Sequence, residues 1–154
     1  MKRSFWLAAA FAVVAAAVTI PLVASASSAD TQFQIGFSLQ FTGPDTTAGI
    51  FVAAGAIDDS GSAQVTNLKV IPFGHHDEAR LSGDQTFIGH KGSIQTTFAG
   101  IVRDVSQPNQ SAKGTFEITG GTGAYAGLRG HGTFVVVADV ANNQIIGTEE
   151  GQAG

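Results

Sequence analysis

The side chains of this sequence best suited to moving protons or holding a metal are four histidines and twelve carboxylates, and there is no cysteine. His75-His76-Asp77-Glu78 is the one place where such groups crowd together. A metal needs imidazole and carboxylate groups converging on one point. Adjacent residues of an extended chain point opposite ways, and this spacing fits no zinc pattern. The stretch therefore reads as a solvated polar loop, and neither a metal site nor any other cofactor is expected. His90 and His131 each stand alone in strand-like surroundings. They are the only candidates for acid–base catalysis, and would make a polar spot if both pointed into an apolar interior. No Gly-x-Ser-x-Gly elbow and no recognisably placed serine or cysteine supplies a covalent nucleophile.

Gly120-Gly121-Thr122-Gly123-Ala124-Tyr125-Ala126-Gly127-Leu128-Arg129-Gly130 is the most distinctive run. Gly121, Gly123 and Ala126 satisfy a dinucleotide-binding spacing, and Phe116 to Thr119 before them reads as a strand. That motif needs a helix next, to hold the pyrophosphate at its N-terminus. Leu128-Arg129-Gly130-His131-Gly132 is a poor helix, and the run lacks the Gly-Lys-Ser/Thr of a phosphate loop. Nucleotide binding is not expected. Glycine here permits positive φ and close backbone approach.

The elements that must carry these residues read as strands. In Gln32 to Phe41, Phe33, Ile35, Phe37, Leu39 and Phe41 fall on one parity, and polar or small residues on the other, as in a half-buried strand. Further strands are expected over 49–57, 63–71, 81–90, 92–105, 114–119, 128–140 and 144–148, separated by turn residues such as Gly43-Pro44-Asp45 and Asp58-Asp59-Ser60-Gly61. Nothing after residue 30 shows helical periodicity. Eight short strands imply an all-β domain, a sandwich or a closed barrel, and eight is the number at which a barrel interior just fills or holds one small ligand. Phe134-Val135-Val136-Val137-Ala138 does not alternate, so both faces of strand seven are expected to be dry, the outer one against another subunit or within a sandwich core.

The glycine run resembles the Gly-Gly-Ser/Thr-Gly-x-Phe/Tyr stretch of the allene oxide cyclase and dirigent proteins. Arg129-Gly130 is similar to the end of the dirigent form and Gly127 to the cyclase form, and 87–94 is loosely similar to their central hairpin. Close matching covers about a tenth of the chain. The resemblance implies a calycin-like, eight-stranded antiparallel β-barrel, often trimeric, with an apolar cavity that binds small hydrophobic molecules and steers their cyclisation or coupling. It also implies that Gly120, Gly121, Gly123, Tyr125, Gly127, Arg129 and Gly130 serve the fold, turning a tight corner between two barrel strands with positive φ at Gly121 and Gly123 and with Tyr125 packed on the barrel wall, its hydroxyl paired. The family's catalytic acids are not carried over, because no residue-by-residue match extends beyond the motif.

The N-terminus reads as a removable leader. Lys2 and Arg3 precede an apolar run from Phe5 to Ile20, Pro21 breaks it, and Ala24-Ser25-Ala26 fits a cleavage pattern. Cleavage after Ala26 or Ala29 would leave one domain, 30–154, secreted or periplasmic, with no stable membrane insertion. Without Lys2 and Arg3, six basic residues face twelve acidic ones, a net charge of −6. That excludes nucleic acid as a partner, whose phosphates need a basic face. The expected function is binding of a small hydrophobic molecule in the barrel, with any catalysis isomerase- or cyclase-like and independent of metal or covalent nucleophile. The alternative is a non-catalytic exported envelope or interaction protein with a packed barrel.

Overall fold

Alternation decides the first element. In the computed structural model, which describes residues 31–74 and 76–154, Gln32–Phe41 forms β1. Phe33, Ile35, Phe37 and Leu39 are buried and Phe41 half-buried at the barrel's end. The expected leader and its cleavage sites, like His75, lie outside the described residues. Seven more strands follow: β2 (Thr47–Gly55), β3 (Asp59–Pro72), β4 (Glu78–Gly89), β5 (Ser93–Arg103), β6 (Asn109–Gly121), β7 (Gly130–Asp139) and β8 (Gln144–Ala153). A 3-10 turn, Gly123–Tyr125, lies between β6 and β7. Each strand pairs antiparallel with the next, and β1 pairs with β8, closing the barrel. Closure leaves no open edge to recruit another chain.

Four strands run longer than their composition implies: β3 takes in Asp59-Ser60-Gly61, expected as a turn, because Asp59 pairs with Ala53 and Gly61 with Phe51, and β4 begins at Glu78 rather than Leu81, because Glu78 pairs with Arg103. β6 begins at Asn109 rather than Gly114, because Asn109 pairs with Asp139 and Ser111 with both Arg103 and Val137 despite the preceding Pro108. β8 continues past Thr148 to Ala153. Glu149-Glu150 looks like a solvated strand end, yet the two side chains divide between the faces: Glu149 is buried and Glu150 exposed.

The interior has two halves. Towards the β2–β3 and β4–β5 turns, Ile35, Phe51, Phe87, Ile94 and Ile118 fill the lumen. Phe87 holds Phe51 and Phe37 at ring-centroid distances of 5.0 and 6.4 Å in tilted arrangements, a favoured geometry for aromatic pairs. Towards the opposite end, Phe98 meets Phe134 edge-on at 5.8 Å and the filling is incomplete. Phe37 stands at the boundary, packed on Phe87 and lining the space beyond it. Phe37→Ala should cost about 3 kcal/mol of stability, mostly as added void; a chemical-denaturation shift below about 1 kcal/mol would show that this face is not the core.

β7 is apolar on both faces, but among the described residues only the inner one is covered. Phe134 is buried and Val136 half-buried inside, whereas Val135 and Val137 point outward, 58% and 55% exposed.

Candidate functional site

The incomplete filling leaves a cavity of about 110 Å³ at the end bounded by the β1–β2, β3–β4, β5–β6 and β7–β8 connections. Its wall is mostly aliphatic and aromatic, with Phe37, Leu39, Val65, Phe98, Phe134 and Ile145 among its residues. Val70 at the rim is 48% exposed, so the space reaches solvent there. The mouth is braced by Asn143, whose φ of 52° turns the β7–β8 connection and whose side chain exchanges two hydrogen bonds with the Phe41 backbone, at 2.9 and 3.3 Å. Asparagine tolerates that left-handed backbone better than most residues.

Besides the half-buried Gln110 and the exposed Ser111 of β6, three buried polar side chains break the apolar wall: Thr47 on β2, Gln85 on β4 and Glu149 on β8. Each is buried, and Thr47 Oγ1, Gln85 Nε2 and Glu149 Oε2 lack any hydrogen-bond partner in the protein. Glu149 is placed by strand parity, inward with Ile145 and Gly147, and its paired neighbours are Ile35 of β1 and Phe134 of β7. Burial among these apolar groups pushes its carboxyl up to about 8, because desolvation penalises the charged form. Near neutral pH it is mainly a protonated acid, able to donate a hydrogen bond or a proton. No other acid or base lines the cavity among the described residues.

The opposite end is sealed by a different carboxylate. The Asp59 side chain, 2% exposed, accepts hydrogen bonds from the amides of Ser60, His90 and Lys91 and from the Tyr125 hydroxyl at 3.0 Å. Burial alone would raise its pKa, but these bonds outweigh it and hold Asp59 down at about 2. Tyr125 is moved the other way, to about 12, by burial, then by its bond to Asp59 and the negative charges of Asp59 and Asp58. One anion thus ties β3, the β4–β5 turn and the 3-10 turn together.

The glycine run supplies that 3-10 turn. Gly123 has a φ of 60° and Gly127 of 78°. Gly121 does not have positive φ; it is confined instead by close approach, since a Cβ there would strike the Tyr125 and Ser93 carbonyls. Gly120 leaves room for a Cβ, and Gly130 abuts the Gln152 backbone. Arg129 is exposed and joins the C-terminus through paired backbone bonds with Gly154, at 2.9 and 3.4 Å.

Neither candidate histidine enters the cavity. His90 lies in the β4–β5 turn at the sealed end, its side chain 81% exposed, with Nδ1 2.8 Å from the Ser60 carbonyl. His131 is exposed on the outer face of β7, in register with Glu117 and Gln152. In the polar loop, Asp77 accepts bonds from the Ser106 amide and hydroxyl, at 2.9 and 2.6 Å. Glu78 pairs with Arg103 at 3.2 Å. A broader concavity on the outer wall, about 680 Å³, includes Glu117, Arg129 and His131, all exposed, so it offers no desolvated site.

Both interior carboxylates escape a search for motifs, because each acts alone and its surroundings come from distant strands. Continuing the inward parity of Ile145 and Gly147 by one step would have found Glu149. Compared with family models, with curated proteins and with solved structures, the chain matches none.

Proposed function

We propose that the chain is an exported barrel protein that takes a small hydrophobic molecule into the cavity at its mouth. The observation that carries this reading is the buried Glu149, its Oε2 without a hydrogen-bond partner, in a mostly apolar space that reaches solvent. Burying a carboxyl without a partner is costly, and a convergent polar group in an apolar pocket is how small-molecule sites fix orientation. The glycine run's resemblance to allene oxide cyclase and dirigent proteins agrees in kind. The reading extends to cyclisation or isomerisation of the bound molecule, for which Glu149 is the titratable group at hand, in place of His90 and His131. The filled half of the barrel favours the competing, non-catalytic reading. Native mass spectrometry of protein purified from its own host separates the two: a retained small molecule supports the binding reading, and an empty chain from every preparation overturns it.

Self-association belongs to the same proposal. On the outer wall, Val137, Ile146, Ser38 and Ile50 form one cross-strand row and Val135, Thr148, Gly36 and Val52 the next. The five large apolar residues in these rows are each more than half exposed. Gly36 and Ser38 make a low floor between two apolar ridges, and Gln34 bonded to Glu150 forms part of a polar rim. An apolar centre within a polar rim is the anatomy of an interface between copies. The face spans four strands, about 15–20 Å across, enough for the centre of a standard contact of about 800 Å² per partner. Sedimentation should therefore show an oligomer, and Val137→Asp with Ile146→Asp should return it to monomer without loss of fold; a wild-type chain that stays monomeric at about 100 μM would defeat this part.

A further inference from the structure

The chemistry of the cavity's orphaned atoms restricts what the ligand can be. Gln85 Nε2 can only donate a hydrogen bond, and Thr47 Oγ1 can donate or accept. Glu149 is the one titratable group; its strand neighbours Ile35 and Phe134 bring no charge, and no other charged residue lines the space among the described residues. Thr47 and Gln85 occupy one cross-strand row with Val65 between them. In the eight-strand ring, β4 and β8 stand across the barrel from each other, so Gln85 and Glu149 enter the lumen from opposite walls. A molecule between them meets a donor on one side and a carboxyl on the other.

Resting on the reading of this cavity as a ligand site, we propose that its ligand is a neutral, compact apolar molecule with an accepting oxygen, a ketone, aldehyde or ester carbonyl, held by the Gln85 amide and the Glu149 carboxyl. A cationic amine fits less well: it could pair with ionised Glu149, but an ammonium offers no acceptor to the unpaired Gln85 NH2. A hydrocarbon would leave all three polar atoms unpaired, and a site built to bond an oxygen discriminates strongly against an analogue lacking it. At about 110 Å³ the space is smaller than the roughly 150 Å³ apolar cavity that takes up benzene, so a single small ring is the upper limit and would extend towards the open mouth.

The test uses three probes of nearly equal shape on the mature chain: cyclohexanone, methylenecyclohexane and cyclohexylamine, titrated by calorimetry and by amide chemical shifts. At about pH 6, cyclohexanone should bind at least about tenfold more tightly than methylenecyclohexane. That advantage should shrink between about pH 7 and pH 9 as Glu149 loses its proton. Glu149→Gln, which keeps a donor, should retain the preference and lose its pH dependence; Gln85→Leu and Glu149→Leu should each erase most of it. Equal binding of ketone and alkene, or tightest binding of the amine, would overturn the carbonyl assignment while leaving the cavity a ligand site. Binding of none of the three, by a chain whose spectrum shows it folded, would remove both.

Discussion

Across about pH 5 to pH 9, the unfolding free energy of the wild-type chain should fall by on the order of 4 kcal/mol, and that of Glu149→Gln should lose this decline. The sign follows from proton counts. The Glu149 carboxyl titrates near 4.5 in an open chain and near 8 in the barrel. Between those values the folded state keeps a proton that the unfolded state has released, so each rise in pH favours unfolding. Below about 4.5 both states hold the proton and the penalty vanishes. Asp59 contributes with the opposite sign: lowered from 3.8 to about 2, it stabilises fully above its ordinary value and loses that contribution as pH falls towards 2. The two terms together place greatest stability near pH 4 to 5. Urea midpoints at several pH values, for wild type and Glu149→Gln side by side, measure both limbs. A wild-type curve that is flat from pH 5 to 9 would show that water reaches Glu149 freely and that its surroundings are not apolar.

Asp59→Ala should cost about 4 kcal/mol, the largest loss expected from any single polar side chain in the molecule. The substitution strands the Tyr125 hydroxyl inside the sealed end and removes the acceptor from three amides. Each buried group left unpaired costs about 1–3 kcal/mol, though the exposed His90 and Lys91 amides can recover water. Asp59→Asn keeps an accepting oxygen but turns an NH2 towards donors, and should lose about half as much. Its acid limb should also disappear, which a generic packing defect would not cause. Amide exchange should accelerate first at the β4–β5 turn and at Gly123–Tyr125, the segments that Asp59 joins. Unchanged melting of Asp59→Ala would mean that the glycine turn holds its shape without the carboxylate.

What could be read from the chain beforehand follows from how local each cause is. The alternation of Gln32 to Phe41 depends only on strand parity and a buried face, and β1 spans those residues. The eight-strand count rests on turn residues at regular spacing, and it too is local. Barrel closure was legible only as one of two options, because it depends on pairing between the first and last strands. Glu149 was hidden because Glu149-Glu150 resembles a solvated pair; only a strand that continues through it shows that the first of the two faces inward. Asp59 reads as a turn residue but opens β3, and its partners at His90 and Lys91 lie 31 and 32 residues away. His90 and His131 read as lone histidines in strand-like surroundings that could face inward, yet position in a turn and outward parity put both on the surface.

The seam between β1 and β8 sets the order in which the molecule can complete itself. Seven of the eight strand pairings join consecutive segments, each of which can form as a local hairpin. The eighth brings together residues such as Gln34 and Glu150, 116 positions apart. Closing so long a loop carries an entropic cost that no single contact repays, and high contact order slows folding. Until β8 joins β1, the sheet has two bare edges and its inner face remains accessible. The half-built barrel is therefore the state most exposed to aggregation and proteolysis, and a chain cut short before β8 would remain in it.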